Sequence, residues 1–210
     1  YKVVSHDTLI AYLHDTGTLY YQENLFDNKI LLQQQWAIDG VYEILKDKRF
    51  VKEFANRRRT SIAFYELERI WKTHNLEEKK VFIRFMLSCE IAFELTDWRT
   101  KEEDKEYVIP QLLSAVAPRF AKFRHKKDVL HYKLTYLFLH QSIIERFIVR
   151  TAKTLEAGEA QYWKNGIAWT DSKSDTDIYV ESVSASENVG SYERYLKVRL
   201  HGSRKEELLH

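Results

Sequence analysis

The sequence contains few of the residues that cross-link or interrupt a chain: 1 cysteine, 2 prolines and 6 glycines among 210 residues. A single cysteine excludes an internal disulfide, and the apolar neighbours of Cys89 favour a buried, inert thiol. This pattern fits a reducing compartment better than secretion, so we expect a cytoplasmic protein. The shortage of glycine and proline favours long helices and paired strands over loops.

Long apolar runs and an excess of one charge are also missing. Charged residues such as Arg84, Lys133 and Glu145 interrupt the apolar stretches well before the roughly 18 residues that a membrane-spanning helix needs. Lys and Arg number 33 against 31 Asp and Glu, a formal charge of +2. That balance is far from the basic excess of a dedicated nucleic-acid-binding domain. We therefore expect a globular protein with no membrane partner, for which nucleic acid is an unlikely ligand.

The sequence motifs of the common hydrolases are missing as well. The sequence contains no G-x-x-x-x-G-K-[ST] phosphate loop, G-x-S-x-G elbow, H-E-x-x-H pair or C-x-x-C pair. The histidines do not converge on a metal site, because His125, His131 and His140 are predicted in a loop, on a strand and at a helix start. We expect no catalytic, cofactor-binding or metal-binding residue, and a chain that is not an enzyme. An active site completed by a domain outside the chain is an open alternative.

What is present in the first half is a set of amphipathic helices with a hairpin among them. Apolar spacing predicts a helix from Ser5 to Gly17, a hairpin around Asp27-Asn28 and a second helix from Trp36 to Leu45. A helix, a hairpin and a helix in this order resemble part of a winged helix. Two more helices and two short strands are predicted from Phe64 to Trp71, from Asn75 to Cys89, at Ile91 to Leu95 and at Tyr107 to Ile109.

The second half has the pattern of a sheet with one helix. Apolar and polar residues alternate from Leu130 to Tyr136, which is the period of a half-buried strand. An apolar stripe from Ile143 to Leu155 predicts a helix. Three further strands are predicted at Tyr162 to Thr170, Ile178 to Val183 and Tyr195 to Leu200. Trp163 is expected to be buried against the helix that carries Phe147 and Ile148.

The two halves meet at Pro118, where polarity rises and apolar periodicity stops. The fold class is therefore α+β: a partial winged-helix-like, α-rich subdomain (1–118) and an antiparallel sheet subdomain with one long helix (119–210). The basic clusters Arg57 to Arg59 and Arg124 to Lys127 leave a winged-helix nucleic-acid-binding module as an alternative. Such clusters are more often solvated loops.

Three groups of residues, in order along the chain, resemble the COR domain that follows the GTPase of Roco proteins. Trp36 with Gly40-Val41-Tyr42 is similar to the family's W-x-x-x-G-V-Y. The second group comprises Phe85 to Phe93, Tyr107 to Pro110, and Leu112-Leu113. In the third, Tyr136 to Arg150 is followed by Tyr162 to Ile167, which is similar to the family's helix and its W-R-x-G strand. Lys164 stands where the family commonly has Arg, and His140 stands near its usual Pro.

The resemblance implies a non-catalytic scaffold and dimerisation region, from a bacterial Roco GTPase, which couples nucleotide state to homodimerisation. The GTPase domain would lie before Tyr1, which is not an initiator methionine, and elements of the second subdomain would follow His210. The first subdomain would face the GTPase, and the second, rich in Tyr and Trp, would supply much of the dimer contact. The residues expected to face the GTPase are Tyr12, Trp36 and Tyr42. Those expected at the dimer interface are Trp169, Tyr179, Tyr192 and Tyr195.

Overall fold

The first half of the chain consists of short helices around a small sheet. A computed structural model describes residues 5–21, 30–56, 59–96, 99–118, 128–136, 138–155, 159–186, 192–203 and 205. The helices of this half are α1 (His6–Asp15), α2 (Gln34–Lys46), α3 (Lys48–Ala55), α4 (Phe64–Ile70) and α5 (Leu76–Ser88). The antiparallel strands β1 (Ile62–Ala63), β2 (Phe93–Glu94) and β3 (Glu106–Val108) pair in the order β1-β3-β2. Two 3₁₀ helices, Glu102–Asp104 and Pro110–Leu112, flank β3.

Local signals set the ends of these helices. Asn75 and Glu78 form the predicted capping box: the Asn75 side chain accepts from the Glu78 amide at 3.0 Å, and the Glu78 carboxylate accepts from the Asn75 amide at 2.9 Å. Ser5 caps α1, and Gly17 beyond its end has a φ of 72°. Of the predicted hairpin, the described residues show one antiparallel β-bridge, between Tyr20 and Leu31. Its expected turn at 27–28 lies outside the described residues.

The helix α3 is absent from the sequence prediction. Asp47 ends α2 and caps α3 by accepting hydrogen bonds from the amides of Arg49 and Phe50. Phe50 and Phe54 of α3 are fully buried. Only Asp47 separates the two helices, so the apolar periodicity of the sequence continues from α2 into α3. The sequence therefore contains no clear signal of a second helix.

Gly40 allows α2 to approach α5 closely. A Cβ at this position would lie 2.6 Å from the Phe82 ring. The Trp71 indole donates a hydrogen bond to the Gly40 carbonyl at 2.8 Å. The G-V-Y step of the sequence therefore marks a contact between helices where no side chain fits.

The second half is an antiparallel five-stranded sheet with one helix, so the predicted α+β class is confirmed. The strands are β4 (Leu130–Tyr136), β5 (Ala160–Trp163), β6 (Gly166–Asp171), β7 (Thr176–Ser186) and β8 (Tyr192–Gly202), in the order β4-β8-β7-β6-β5. The helix α6 (Gln141–Ala152) contacts β6 and β7. His140 caps it, with its ring Nδ1 3.1 Å from the Ser142 amide nitrogen.

The single strand predicted from Tyr162 to Thr170 is wrong. The chain reverses at Lys164-Asn165, so that β5 and β6 form a tight hairpin in which Trp163 pairs with Gly166. Trp163 is 1% exposed, which confirms its burial, but its expected position against α6 is wrong. Strand alternation turns Tyr162 towards the main core and Trp163 to the outer face of the sheet, where it contacts Tyr179.

One apolar core runs through both halves. It contains residues of α2, α4 and α5 together with Ile144, Ile148 and Ile167 of the second half. Cys89, expected to be buried, is half-buried at the end of α5. Within the described ranges, no helix is long and apolar enough to cross a membrane.

Candidate interaction surfaces

The described residues offer several surfaces for contact. Among them, no three His, Cys, Asp or Glu side chains are grouped to hold a metal ion. The features that distinguish the molecule are the junction between its two halves, an apolar cleft beside that junction, and the two faces of the second sheet.

The junction has an apolar centre with polar contacts around it. The rings of Phe93 and Tyr162 meet edge to face, with centroids 5.4 Å apart. The Lys164 amide donates to the Ser114 carbonyl at 3.0 Å, and the Gln111 side chain donates to Glu145 at 3.2 Å. The first half is thus fastened to both α6 and the β5–β6 hairpin.

Glu90 occupies an uncommon backbone position at this junction. Its φ of 57° lies in the left-handed region, where glycine is the usual residue after a helix. The amide of Ile91 donates to the Met86 carbonyl at 2.9 Å, and the amide of Glu90 donates to Leu87 at 3.4 Å. This is the Schellman pattern that ends a helix, and a side chain other than glycine makes it less favourable.

The side chain of Glu90 joins the two halves. Its carboxylate accepts a hydrogen bond from the guanidinium of Arg150 at 2.8 Å and lies 3.8 Å from the guanidinium of Arg146. Both arginines are on α6. The hydrogen bond from Arg150 lowers the pKa of Glu90 below its ordinary value. Lys153 adds a hydrogen bond from its ammonium to the Leu87 carbonyl at 3.4 Å. Two cations of α6, and Lys153 directly after it, therefore converge on the end of α5.

An apolar cleft of about 150 Å³ opens between α2, α5 and the junction. A second, more polar cleft of about 270 Å³ lies beside it and shares two of its lining residues, Ile91 and Gln111. Tyr42 lies at the wall of the first cleft and is exposed. Tyr12 on α1 is also exposed, whereas Trp36 is half-buried with its ring centroid 4.5 Å from that of Phe82. Two of the three residues expected to face the GTPase are therefore exposed, and the third is packed against α5.

The outer face of the sheet carries cations over aromatic rings. The Arg199 guanidinium lies 3.9 Å from the centre of the Tyr179 ring, and the Lys133 ammonium lies 4.5 Å from that of Tyr195. Tyr179 is 3% exposed and lies 5.0 Å from Trp163, so little of its surface is left for a partner. Burial raises the pKa of the Tyr179 hydroxyl, and the charge of Glu181 adds to the effect.

The opposite face of the sheet is covered in part by α6. Trp169 is half-buried there, with its ring centroid 6.5 Å from that of Phe147. Phe147 and Ile143 are exposed and lie one turn apart on α6. The side chain of Tyr192 lies outside the described part of the structure.

Arg59, part of the first basic cluster, forms ion pairs with two glutamates of its own chain. Its guanidinium donates to Glu66 at 3.0 and 2.6 Å and to Glu53 at 3.1 Å. Burial opposes ionisation of Glu66, but hydrogen bonds from Arg59 and from the Ala63 amide lower its pKa overall. Residues 57–58 and 124–127 lie outside the described residues.

Two family models match the chain almost end to end. The first, COR-A ("C-terminal of Roc, COR-A domain"), covers residues 2–113, and the second, COR-B ("C-terminal of Roc, COR-B domain"), covers residues 127–210. The chain belongs to the COR domain family. A comparison with curated proteins finds no match. Pro118, the boundary predicted from the sequence, lies between the two matched ranges.

COR domains occur in Roco proteins next to the Roc GTPase domain. In this chain COR-A contains α1 to α5 and the small sheet, and COR-B contains α6 and the large sheet. The glycines of the two family motifs, Gly40 and Gly166, are both positions where a Cβ would collide with an aromatic ring. The glycines of these motifs are therefore explained by close packing within the COR domains.

Sequence reasoning missed the Glu90 contacts with α6. The residues are 60 positions apart, and a glutamate after a helix gives no signal of a left-handed backbone. The one available clue was the helix end itself, because a chain that turns sharply after Cys89 without glycine needs another residue in that conformation.

Proposed function

We propose that this COR region is a non-catalytic connector, which joins an upstream Roc GTPase domain to a homodimer contact in COR-B. The observation that carries the proposal is the apolar core that continues from COR-A into COR-B. A partner that shifts one half must then disturb packing in the other, because close-packed cores do not deform gradually. The protein would act in the cytoplasm, in signalling by a Roco protein.

The junction supports coupling in a second way. Glu90 binds α6 from the end of α5, so the orientation of α6 depends on an element of COR-A. A nucleotide-dependent change in the GTPase could bias the dimer only if its two nucleotide states make different contacts with COR-A. The exposed cleft beside Tyr42 is the COR-A surface that we assign to the GTPase.

For the dimer contact we assign the exposed side of α6. Ile143 and Phe147 lie on it one turn apart, and Trp169 lies beside Phe147. Large exposed apolar side chains are favourable where a partner covers them, and aromatic residues are enriched in interfaces. A two-fold axis through this surface lets each helix meet its own copy and closes the assembly at two chains. Tyr195 lies on the other face of the sheet and would be outside this contact.

Nucleotide binding tests the non-catalytic part of the proposal. The chain has no phosphate loop, so we expect no heat of binding when it is titrated with GTP or GDP and Mg²⁺. The same titration on a longer protein that includes its GTPase domain is the positive control. Saturable micromolar binding to residues 1–210 alone would contradict the proposal.

A further inference from the structure

The helix α1 differs from the other helices of COR-A in its burial. None of its ten residues, all of which the structure describes, is buried, and seven of them are exposed. By contrast, α2 and α5 each bury four residues in the apolar core. Leu9 and Tyr12, two large apolar residues of α1, are 50% and 63% exposed. Tertiary packing therefore contributes little to the stability of α1.

Local interactions account for the formation of this helix. The Ser5 hydroxyl oxygen accepts a hydrogen bond from the Thr8 amide at 3.2 Å, and Asp7 places a negative charge in the first turn. Isolated helices shorter than about 12–15 residues are only marginally stable in water, because most helical stability in proteins comes from packing. The free energy that keeps α1 folded is therefore small compared with that of the core.

The chain joins the core of COR-A directly after α1. Leu19 is 4% exposed, and the Tyr20 hydroxyl donates to the Ser88 hydroxyl oxygen at 2.9 Å. His14 of α1 contacts this anchor, with its ring centroid 5.4 Å from that of Tyr20. Gly17 lies between the helix and the anchor with a φ of 72°, and no atom lies within 4 Å of the position of a Cβ. This glycine therefore serves the turn of the backbone, and the anchor does not depend on the helix before it.

From these observations we propose that α1 unfolds and refolds as a unit while the core of COR-A stays folded, and that it acts as a tether of variable length. It is the first described helix in the COR-A range, so an upstream GTPase domain is connected to the core through it. Ten residues span about 15 Å as a helix and at most about 35 Å when extended, so opening of α1 adds up to about 20 Å of reach. The role as a tether rests on the proposed function, whereas the local unfolding does not.

Hydrogen–deuterium exchange of the 210-residue chain, followed by mass spectrometry, tests the local unfolding. We expect the amides of α1 to exchange on the order of a hundredfold faster than those of α2 and α5, whose opening requires unfolding of the core. Exchange of α1 at the rate of α2 would overturn the proposal.

Two matched variants separate local from global unfolding. Ser5→Ala and Asn75→Ala each remove the side chain that caps a helix, α1 in the first case and α5 in the second. Ser5→Ala should speed the exchange of α1 on the order of fivefold and leave the midpoint of urea unfolding unchanged, whereas Asn75→Ala should lower that midpoint. An equal shift of the urea midpoint in both variants would mean that α1 unfolds with the core, which overturns the proposal.

A longer protein that includes the GTPase domain tests the role as a tether. Exchange of α1 is measured there with GDP and with a non-hydrolysable GTP analogue. Contacts that differ between the nucleotide states shift the folding equilibrium of α1, so we expect different exchange rates in the two states. Equal rates would overturn the role as a tether. Binding of GTP to residues 1–210 alone would instead contradict the proposed function and leave the exchange of α1 in that chain as expected, so the two failures are distinguishable.

Discussion

At the scale of single residues, Trp163 explains why a glycine is needed at position 166. The indole covers the position where Gly166 has no side chain, so each residue requires the other. A Cβ at Gly166 would lie 2.4 Å from both the ring of Trp163 and the carbonyl oxygen of Val180. The backbone carbonyl cannot move aside without breaking the β6–β7 pairing.

Replacing Trp163 with Ala should lower the free energy of unfolding by about 3–5 kcal/mol, the usual range for a fully buried large aromatic residue. Urea denaturation monitored by circular dichroism measures this change. Tyr12→Ala, at an exposed aromatic residue of α1, is the control and should change stability by only a few tenths of a kcal/mol. A similarly small loss for Trp163→Ala would place that residue outside the core.

Part of the residue-scale account could be predicted from the sequence. A tryptophan at the end of a strand beside a glycine indicates burial, which the structure confirms. It does not reveal the turn at Lys164-Asn165, and that turn decides which face of the sheet Trp163 occupies. Tyr179 was expected at an interface because it is aromatic, but cross-strand contacts with Trp163 and Arg199 bury it within its own chain.

At the scale of elements, α5 and α6 are held together through Glu90. Glu90→Gln keeps the left-handed backbone but removes the charge that binds Arg150 and Arg146. We therefore expect this variant to be less stable than the wild type at neutral pH. Glu90→Gly removes the same contact but relieves the backbone, so it should be more stable than Glu90→Gln.

The pH dependence of this pair has a definite sign. The folded protein lowers the pKa of Glu90, so the ion pair stabilises it above the ordinary glutamate pKa of about 4.3. That stabilisation is lost as the pH falls through the lowered pKa. Urea titrations of wild type and Glu90→Gln should differ at pH 7 and converge below about pH 4. A difference that grows on acidification would contradict the role of Glu90.

The elements differ in how readily the sequence predicted them. The capping box of α5 is local, because Asn75 and Glu78 satisfy each other's amides within one turn. The boundary between α2 and α3 was missed because it consists of Asp47 alone. The connection from Glu90 to α6 depends on tertiary geometry and has no local pattern.

At the scale of the whole molecule, COR-A and COR-B share one apolar core, and we expect them to unfold together. Tryptophan fluorescence and far-ultraviolet circular dichroism should give coincident urea transitions. Two separated transitions would mean that the core does not couple the halves.

The boundary at Pro118 predicts a separate result, namely that limited proteolysis of the native chain begins between residues 118 and 127.

Composition and periodicity predicted the fold class and the order of its two halves. They could not predict how the halves pack, because that depends on contacts between residues far apart in sequence, such as Phe93 with Tyr162. Which residues of the second half are exposed also depends on contacts between residues far apart in sequence. Exposure of Phe147 and burial of Tyr179 are set by the position of α6 and by the pairing of β7 with β6 and β8.

Sedimentation velocity over a wide concentration range tests the central claim, that COR-B carries a homodimer contact, most directly. The account predicts that the 210-residue chain forms dimers as concentration rises and that Phe147→Glu keeps it monomeric. Val51→Glu, at an exposed apolar residue of α3 in COR-A, should leave the dimer unchanged. A chain that stays monomeric throughout, or a dimer that survives Phe147→Glu and is lost in Val51→Glu, would contradict the account.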